Sequence, residues 1–324
     1  MSDRQEVVDA INNGSSFCLI THENPDGDAL GSLLGTHRLL GALGKDSVML
    51  MGADEFPLAP EYKYFADAEI VTTVPADIAD RTVIFLDCGN IDRSPLAGVC
   101  KLATTIVNVD HHHDNTRFGT INLVVGDASS TGEIVWSLAK DLGVALTREI
   151  ADPLYIALVT DTGKFMYENT GVAAHTMAAE LIAAGVDVQA IYRELYEDLP
   201  YSKLRLLERA LRNVRRYEEG ALTLTYVSLA DFAAAEATES DSEGIVDHLR
   251  AVEGTKVAAM ARELQNGRTR KKVSLRSTDG TVDVSIIARE SSGGGHRQAA
   301  GFSTDLGEDE LIAFLRAQIS AQLS

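Results

Sequence analysis

Basic residues are scarce in this chain, and any reading of its chemistry has to accommodate that scarcity. Lys and Arg number 29 against 48 Asp and Glu, a formal net charge of −19. Such a balance argues against broad, non-specific binding of duplex DNA, which requires a basic surface. It leaves room for a small anionic substrate held by a local basic pocket and metal ions. Long apolar runs are missing too. None approaches membrane-spanning length, and the opening Met-Ser-Asp-Arg-Gln-Glu does not read as a signal peptide. The three cysteines, Cys18, Cys88 and Cys100, lack metal-like spacing. Reduced, mostly buried thiols in a cytoplasmic protein are the expectation. There is no long internal repeat and no low-complexity tract. What remains is an ordinary globular composition, 45% hydrophobic and 6% aromatic, in 324 residues, enough for two domains.

The most informative stretch is Thr21-His22-Glu23-Asn24-Pro25-Asp26-Gly27-Asp28-Ala29. The apolar run 17–20 leads into it and a helical pattern from Leu30 leads out, so it reads as strand, tight turn and helix. Asp28 stands where an N-cap is expected, and Gly44 can end the helix near Leu43. A leading helix is expected over 5–13 and a second strand over 48–51. The run Thr82-Val-Ile-Phe-Leu-Asp87 reads as a buried strand ending in Asp. Residues 104–110 repeat that pattern, and His111-His112-His113 follow at once. Ser129-Ser130-Thr131 offer caps for a helix reaching about Leu142, with Trp136 and Leu138 as core. Further helices are expected over 149–160, 173–184 and 187–197, with Asp161-Thr-Gly163 after the first of them.

Strands alternating with helices predict a parallel α/β sheet, whose ligands gather at the carboxyl ends of the strands. Three such ends here finish in metal-competent side chains: His22/Asp26/Asp28, Asp87, and Asp110/His111/His112. Two His and four Asp are too many charges for one compact magnesium site. They suit two cations sharing a bridging carboxylate, and Asp87, alone on its strand end, is the natural bridge. Mixed imidazole and carboxylate favour Mn²⁺ over Mg²⁺, with Co²⁺, Fe²⁺ or Zn²⁺ as substitutes. Such a pair would clamp a phosphoryl group, and a water bridging them would be the nucleophile.

Composition changes near Pro200. The charged, helix-like stretch 203–216 is expected to link two domains, giving boundaries of 1–190, 191–212 (helical linker) and 213–324. Beyond it, residues 222–227 alternate like a strand, and 257–264 and 272–276 are expected to form a hairpin around Asn266-Gly267. A short helix over 282–289, a flexible Gly293-Gly294-Gly295-His296 loop and a terminal helix over 308–322 complete the pattern. Arg262, Arg268, Arg270, Lys271, Lys272 and Arg276 stand within fifteen residues, an unusual excess in an acidic chain. Around the turn this excess reads equally well as a solvated hairpin. Arg276, inside the alternating strand, is favoured as a phosphate contact. The Gly293–Gly295 backbone can offer N–H groups to a phosphate, with His296 touching it or a base.

His-Glu-Asn-Pro-Asp-Gly-Asp-Ala-Leu-Gly-Ser (22–32), Asp87, Asp110-His111-His112 and Asp161-Thr-Gly-Lys-Phe165 resemble the four ordered motifs of the DHH phosphoesterases. Gly293-Gly-Gly-His-Arg-Gln-Ala-Ala-Gly301, preceded by Ser274-Leu-Arg-Ser277, is similar to that family's associated C-terminal domain. Three glycines stand here where the family usually has four. The nearest subgroup is the NrnA-like enzymes, and the resemblance spans nearly the whole chain. It implies a larger N-terminal α/β metal domain, a smaller C-terminal α/β domain and an active-site cleft between them. It implies hydrolysis of very short oligoribonucleotides and linear dinucleotides such as pApA, and dephosphorylation of 3'-phosphoadenosine 5'-phosphate (pAp). Cleavage of cyclic di-AMP and homodimerisation are further implications.

Residue by residue, the resemblance puts His22 and Asp26 on one metal, Asp28, His111 and Asp161 on the other, and Asp87 between them. Asp110 would orient His111, and His112 would face the scissile phosphate. Arg262, Arg276, Gly293, Gly294, Gly295 and His296 would contact substrate. His113 has no assigned role, and Phe165 and Tyr167 are expected to pack structurally, with contact to a base as the alternative. Other readings are a pyrophosphatase or polyphosphatase of sister type, a non-catalytic nucleotide sensor, or a RecJ-like exonuclease, which would want a larger chain and a more basic channel.

Overall fold

Burial on both faces explains why two apolar runs read as strands without polar alternation. In a computed structural model describing residues 3–197, 199–264 and 270–323, the chain divides into two compact units, Met1–Glu197 and Asp198–Ser324. The first unit contains α1 (Asp3–Asn13), β1 (Ser16–Ile20), α2 (Gly27–Ala42), β2 (Asp46–Leu50), β3 (Ile70–Val71), β4 (Thr82–Leu86), β5 (Thr105–Asp110), β6 (Ile121–Val124), α3 (Thr131–Asp141), α4 (Arg148–Asp161), α5 (Val172–Ala183) and α6 (Val188–Tyr196). All its strands pair in parallel, in the order β3-β2-β1-β4-β5-β6. Leu19 and Ile84 face a core shared with the helices, while Cys18, Ile20, Val83 and Phe85 face the opposite cluster. The chain runs outward from β1 to β3, then returns to lay β4 beside β1. That reversal opens a crevice at the carboxyl ends of β1 and β4, where ligands of such sheets collect. The short strands β3 and β6, half-exposed and carrying little periodicity, were not expected from the sequence.

The start of α2 corrects one expectation. Asp26, and not Asp28, is the N-cap: its backbone is extended and its carboxylate accepts from the N–H of Asp28 and Ala29, both at 3.0 Å. Asp28 therefore lies inside the first turn and is buried. The glycines of α2 have a packing role. A Cβ on Gly27 would lie 2.5 Å from the Thr160 side chain, one on Gly35 would lie 2.6 Å from Leu154, and one on Gly31 would collide with the Pro153 carbonyl oxygen. Spaced four apart, they form one smooth face on which α4 lies in close contact. This brings Asp161, the last residue of α4, beside the first turn of α2.

The second unit contains α7 (Tyr201–Arg212), β7 (Arg215–Tyr217), β8 (Leu222–Val227), α8 (Leu229–Ala235), α9 (Ile245–Arg250), β9 (Val257–Glu263), β10 (Lys271–Ser277), α10 (Val284–Arg289), β11 (Gly294–Gly295), β12 (Ala299–Thr304) and α11 (Glu308–Leu323). Its sheet order is β11-β12-β10-β9-β8-β7. The β8–β9 pair is parallel and the others are antiparallel. The helix expected over 203–216 ends at Arg212, because Arg215–Tyr217 leave it to pair with β8 as an edge strand. The segment read as a free Gly-rich loop is also corrected, since Gly294 and Gly295 pair with Gly301 and Ala300. β9 and β10 are antiparallel as expected, while Asn266-Gly267 and Arg268 lie outside the described residues. Among the described residues no helix is long and apolar enough to cross a membrane.

The α2–α4 contact yields a paired prediction. Gly31→Ala forces a methyl into backbone and should destabilise the fold by about 1–3 kcal/mol. Gly41→Ala, where the added Cβ meets nothing within 4 Å, should stabilise it by roughly 0.5–1 kcal/mol. Thermal unfolding of both variants checks the opposite signs, and a destabilised Gly41 variant would contradict the packing account.

Candidate metal centre

The crevice at the β1/β4 reversal collects the polar ends of five elements. His22 follows β1 by two residues, Asp26 and Asp28 open α2, and Asp87 follows β4 directly. Asp110 ends β5, ahead of His111 and His112, and α4 contributes Asp161. Asp87 continues the sheet through its N–H to the Val109 carbonyl at 3.1 Å, yet its φ is +56°. That left-handed backbone is uncommon for a residue with a side chain, and Asp is among the types that tolerate it. It turns the carboxylate out of the strand.

Two donor sets result. One atom each from His22, Asp26 and Asp87 lie within 4.8 Å of one another, and so do one each from Asp28, His111 and Asp161. Asp87 spans both, with Oδ2 3.4 Å from His22 Nε2 and Oδ1 3.6 Å from His111 Nε2. His111 Nε2 is also 3.7 Å from Asp28 Oδ2 and 3.7 Å from Asp161 Oδ2. Backbone carbonyls fix the two rings. His22 Nδ1 lies 2.7 Å from the Glu23 oxygen and His111 Nδ1 lies 3.2 Å from the Ala128 oxygen. A carbonyl only accepts, so each Nδ1 carries a proton and each Nε2 is directed at the carboxylates.

The α3 N-terminus supports the acids. Ser130 is its N-cap, accepting from the Glu133 N–H at 3.0 Å. Thr131 N–H donates to Asp28 Oδ2 at 2.7 Å and Gly132 N–H to Asp28 Oδ1 at 2.9 Å. Ser32 Oγ adds a bond to Asp28 at 3.1 Å, and Thr131 Oγ1 donates to Asp87 Oδ1 at 3.0 Å. Thr131 thus touches two of the acids. In sequence it is one of three consecutive hydroxyl residues, all readable as caps, and nothing there singles it out.

One expected pairing is corrected. Asp110 holds His112, Oδ1 accepting from Nδ1 at 2.8 Å, while Oδ2 accepts from Asn115 at 2.6 Å. His111 takes the Ala128 carbonyl instead. The donor sets of Asp87, Asp110 and His112 also lie within 4.8 Å of one another. His113 is exposed. Phe165 stacks on His175 with centroids 5.3 Å apart, which is the packing role expected of it.

Burial of so many acids is electrostatically costly without countercharge. Burial first, then repulsion from Asp87, pushes the Asp28 carboxyl well above its ordinary range. Burial and the neighbouring Asp26 and Asp87 push Asp161 up to about 7, against the opposing pull of His111. Burial would lower His111, but Asp161, Asp28 and Asp87 outweigh it and raise it. Asp87 goes the other way: burial raises it, but the three imidazoles around it outweigh that and hold it ionised. Two imidazole nitrogens and four carboxylates, sharing the central Asp87, make a donor set that fits two divalent cations.

In the second unit the expected substrate residues fall into two groups. Arg262 is buried and its guanidinium donates to Glu239 Oε2 at 2.6 Å. Arg276 Nε lies 3.4 Å from Asp247 Oδ1, and its Nη1 donates to the Leu275 carbonyl at 3.1 Å. A Cβ on Gly293 would collide with the Gly301 carbonyl, and one on Gly295 (φ +134°) would lie 2.5 Å from the Ala299 carbonyl, whereas Gly294 has open space. Sheet packing therefore accounts for Gly293 and Gly295. His296 donates its N–H to the Ala299 carbonyl at 2.7 Å, closing a tight turn before β12.

Residues 16–158 match the DHH family, N-terminal domain, and residues 223–322 match the DHHA1 domain. The chain is 35% identical over 297 residues to the bifunctional oligoribonuclease and PAP phosphatase NrnA of Thermus thermophilus, covering 91% of this chain and 86% of that one. A probable manganese-dependent inorganic pyrophosphatase of Streptococcus mutans is 31% identical over 185 residues, 54% of this chain and 57% of that one. In structure, an exopolyphosphatase-related protein from Bacteroides fragilis superposes with a TM-score of 0.86 at 23% identity, covering 98% of this chain and 96% of the other, a likeness of fold. With both domains matched in order and a relative this similar over nearly its full length, the chain belongs to the DHH family of phosphoesterases, in the branch that carries a DHHA1 domain.

Proposed function

We propose that this hydrolase cleaves very short oligoribonucleotides, including pApA, to mononucleotides and dephosphorylates pAp to AMP. The observation that carries the reading is Asp87, whose two oxygens face different imidazoles in two adjoining donor sets. The similarity to the oligoribonuclease and PAP phosphatase of Thermus thermophilus supports the substrate class. His22, Asp26 and Asp87 would hold one divalent cation, and Asp28, His111, Asp161 and Asp87 a second. A bound pair supplies Lewis acidity, lowering the pKa of water and offsetting charge on phosphoryl oxygens. The mixed donor set, and the manganese-dependent pyrophosphatase among the relatives, favour Mn²⁺ over Co²⁺, Fe²⁺, Mg²⁺ or Zn²⁺.

The chain's own residues then have distinct tasks. The α3 N-terminus orients Asp28 and Asp87, and the surrounding imidazoles hold Asp87 ionised. His112 is the proposed proton donor to the leaving oxygen. Burial would lower its pKa, but the bond to Asp110 outweighs this and raises it, favouring the protonated ring. Arg276, His296 and the Gly293–Gly295 amides are proposed phosphate or base contacts, and so is Arg262, whose Nη1 is already engaged by Glu239. Cyclic di-AMP as a further substrate, a homodimeric state and a cytoplasmic setting belong to the same proposal. The family resemblance supports the first two, and the unpaired thiols of Cys18, Cys88 and Cys100 support the third. A second reading, inorganic pyrophosphate as substrate, is favoured by the pyrophosphatase similarity, but that covers 54% of this chain.

Asp28→Ala should lower manganese-dependent AMP release from pApA by at least about a hundredfold. Undiminished release would contradict the assignment. Assaying pAp and pyrophosphate beside pApA separates the two readings, and turnover of pyrophosphate alone would reverse their order. Metal affinity should also depend on pH. Asp161, raised to about 7, must lose its proton to bind a cation, and raised His111 must lose one too. Both work in one direction, so Mn²⁺ should bind more tightly at pH 8 than at pH 6, with net proton release. Calorimetry in buffers of different ionisation enthalpy measures this, and pH-independent affinity would contradict it.

A further inference from the structure

Asp161 occupies the least favourable position of the acids. It ends α4, where the carbonyls of the last turn oppose negative charge, and its side chain retains 20% exposure. Its support comes from a residue that no motif marks. Asn169 Nδ2 donates to the Ser129 carbonyl at 2.9 Å, to the Asp161 carbonyl at 3.2 Å and to Asp161 Oδ2 at 3.3 Å. Three acceptors around one atom settle the amide orientation, because an oxygen there would face three oxygens. The opposite atom, Asn169 Oδ1, is buried with no hydrogen-bond partner. An amide that leaves its acceptor unsatisfied to keep its donor among three oxygens is held there for the donor.

The backbone between the two residues is equally specific. Gly163, Lys164 and Phe165 have φ of +54°, +64° and +65°, a left-handed turn in which two residues carry side chains. Met166 and Tyr167 both return their N–H to the Thr162 carbonyl at 3.0 Å. This turn folds the chain back so that Asn169 reaches Asp161 from eight residues away. Through Ser129 the same amide ties the end of α4 to the segment entering α3, whose first residues grip Asp28 and Asp87.

We propose that Asn169 is a positioning residue for the second cation site: its amide orients the Asp161 carboxylate and locks the 162–171 turn against the start of α3. This rests on the reading of Asp161 as a metal ligand. Removing the donor lets the carboxylate swing, and the affinity of that site falls, while the residues that contact substrate keep their places.

The test is Mn²⁺ binding to the full chain by calorimetry, with AMP release from pApA measured as a function of Mn²⁺ concentration. Asn169→Ala removes the donor. Asn169→Leu removes it while keeping the shape of the side chain, in case the smaller residue loosens the turn. Each should raise the Mn²⁺ concentration for half-saturation about tenfold, the effect expected for a group that orients a metal ligand. The turnover at saturating Mn²⁺ should return to within about twofold of the parent, and metal-free unfolding should shift little. Half-saturation within twofold of the parent overturns the proposal. So does a loss of turnover that excess Mn²⁺ does not restore, or a fall in metal-free stability that accounts for the whole effect. Asp161→Asn is run in parallel. If that variant binds Mn²⁺ like the parent, the metal-ligand reading itself has failed; if it loses affinity and the Asn169 variants do not, only the role of Asn169 is wrong.

Discussion

Mutual repulsion among buried carboxylates is the constraint that the rest of the first unit answers. Asp26, Asp28, Asp87 and Asp161 belong to adjoining donor sets, and Asp28 and Asp87 are almost wholly shielded from water. Left alone they would take up protons, as the raised Asp28 and Asp161 carboxyls indicate. The fold resists this at chosen places. Two backbone N–H groups at the start of α3 meet Asp28, a hydroxyl meets Asp87, and imidazoles stand beside each acid. These donors have partial or single charges and cannot neutralise the whole set. The remainder is negative charge held in place for a cation.

Holding it requires rigid elements, and the glycine face of α2 provides one. A helix whose neighbour touches its backbone leaves little freedom to slide or rotate. The Gly27, Gly31 and Gly35 contacts therefore fix Asp161 on α4 relative to Asp28 on α2 more tightly than a layer of larger side chains would. The parallel sheet does the same for Asp87 and His111, which leave adjacent strands in register, Leu86 opposite Val109. Both supports come from main-chain geometry, which survives changes in surface residues.

This division explains what the sequence disclosed and what it hid. Strand runs, helix periods and the acids and imidazoles at their ends were legible, because burial on both faces and chemical type leave marks in one dimension. The choice between Asp26 and Asp28 as the cap was hidden, since both suit an N-cap and only the backbone angles before the helix decide. Adjacent His111 and His112 likewise differ in which Nδ1 finds Asp110 and which finds a carbonyl. Thr131 resembled the capping residues next to it, and Asn169 sits in a turn with no periodicity. In the second unit, glycines conveyed flexibility although two of the three are demanded by close approach to β12. A residue without a side chain gives no sign of which strand it will join. The candidate metal ligands were visible by type, and the residues that hydrogen-bond to them were not.

Charge arithmetic reconciles an acidic chain with an anionic substrate. The net charge of −19 is spread over the whole chain and is screened over about 8–10 Å at physiological salt. What a phosphate meets at the crevice is set locally. Four ionised aspartates carry four negative charges, and two divalent cations in the proposed sites would cancel them. Asp110, bonded to His112, offsets the charge of a protonated ring, so the filled crevice would be close to neutral in a chain that is strongly acidic. Bound cations would therefore lower the repulsion that a phosphate meets at the crevice and offer its oxygens Lewis acidity. That offset is local, because screening confines it to the phosphates nearest the cations. On the proposed reading, a short oligonucleotide or a single nucleotide bisphosphate places most of its charge within that reach.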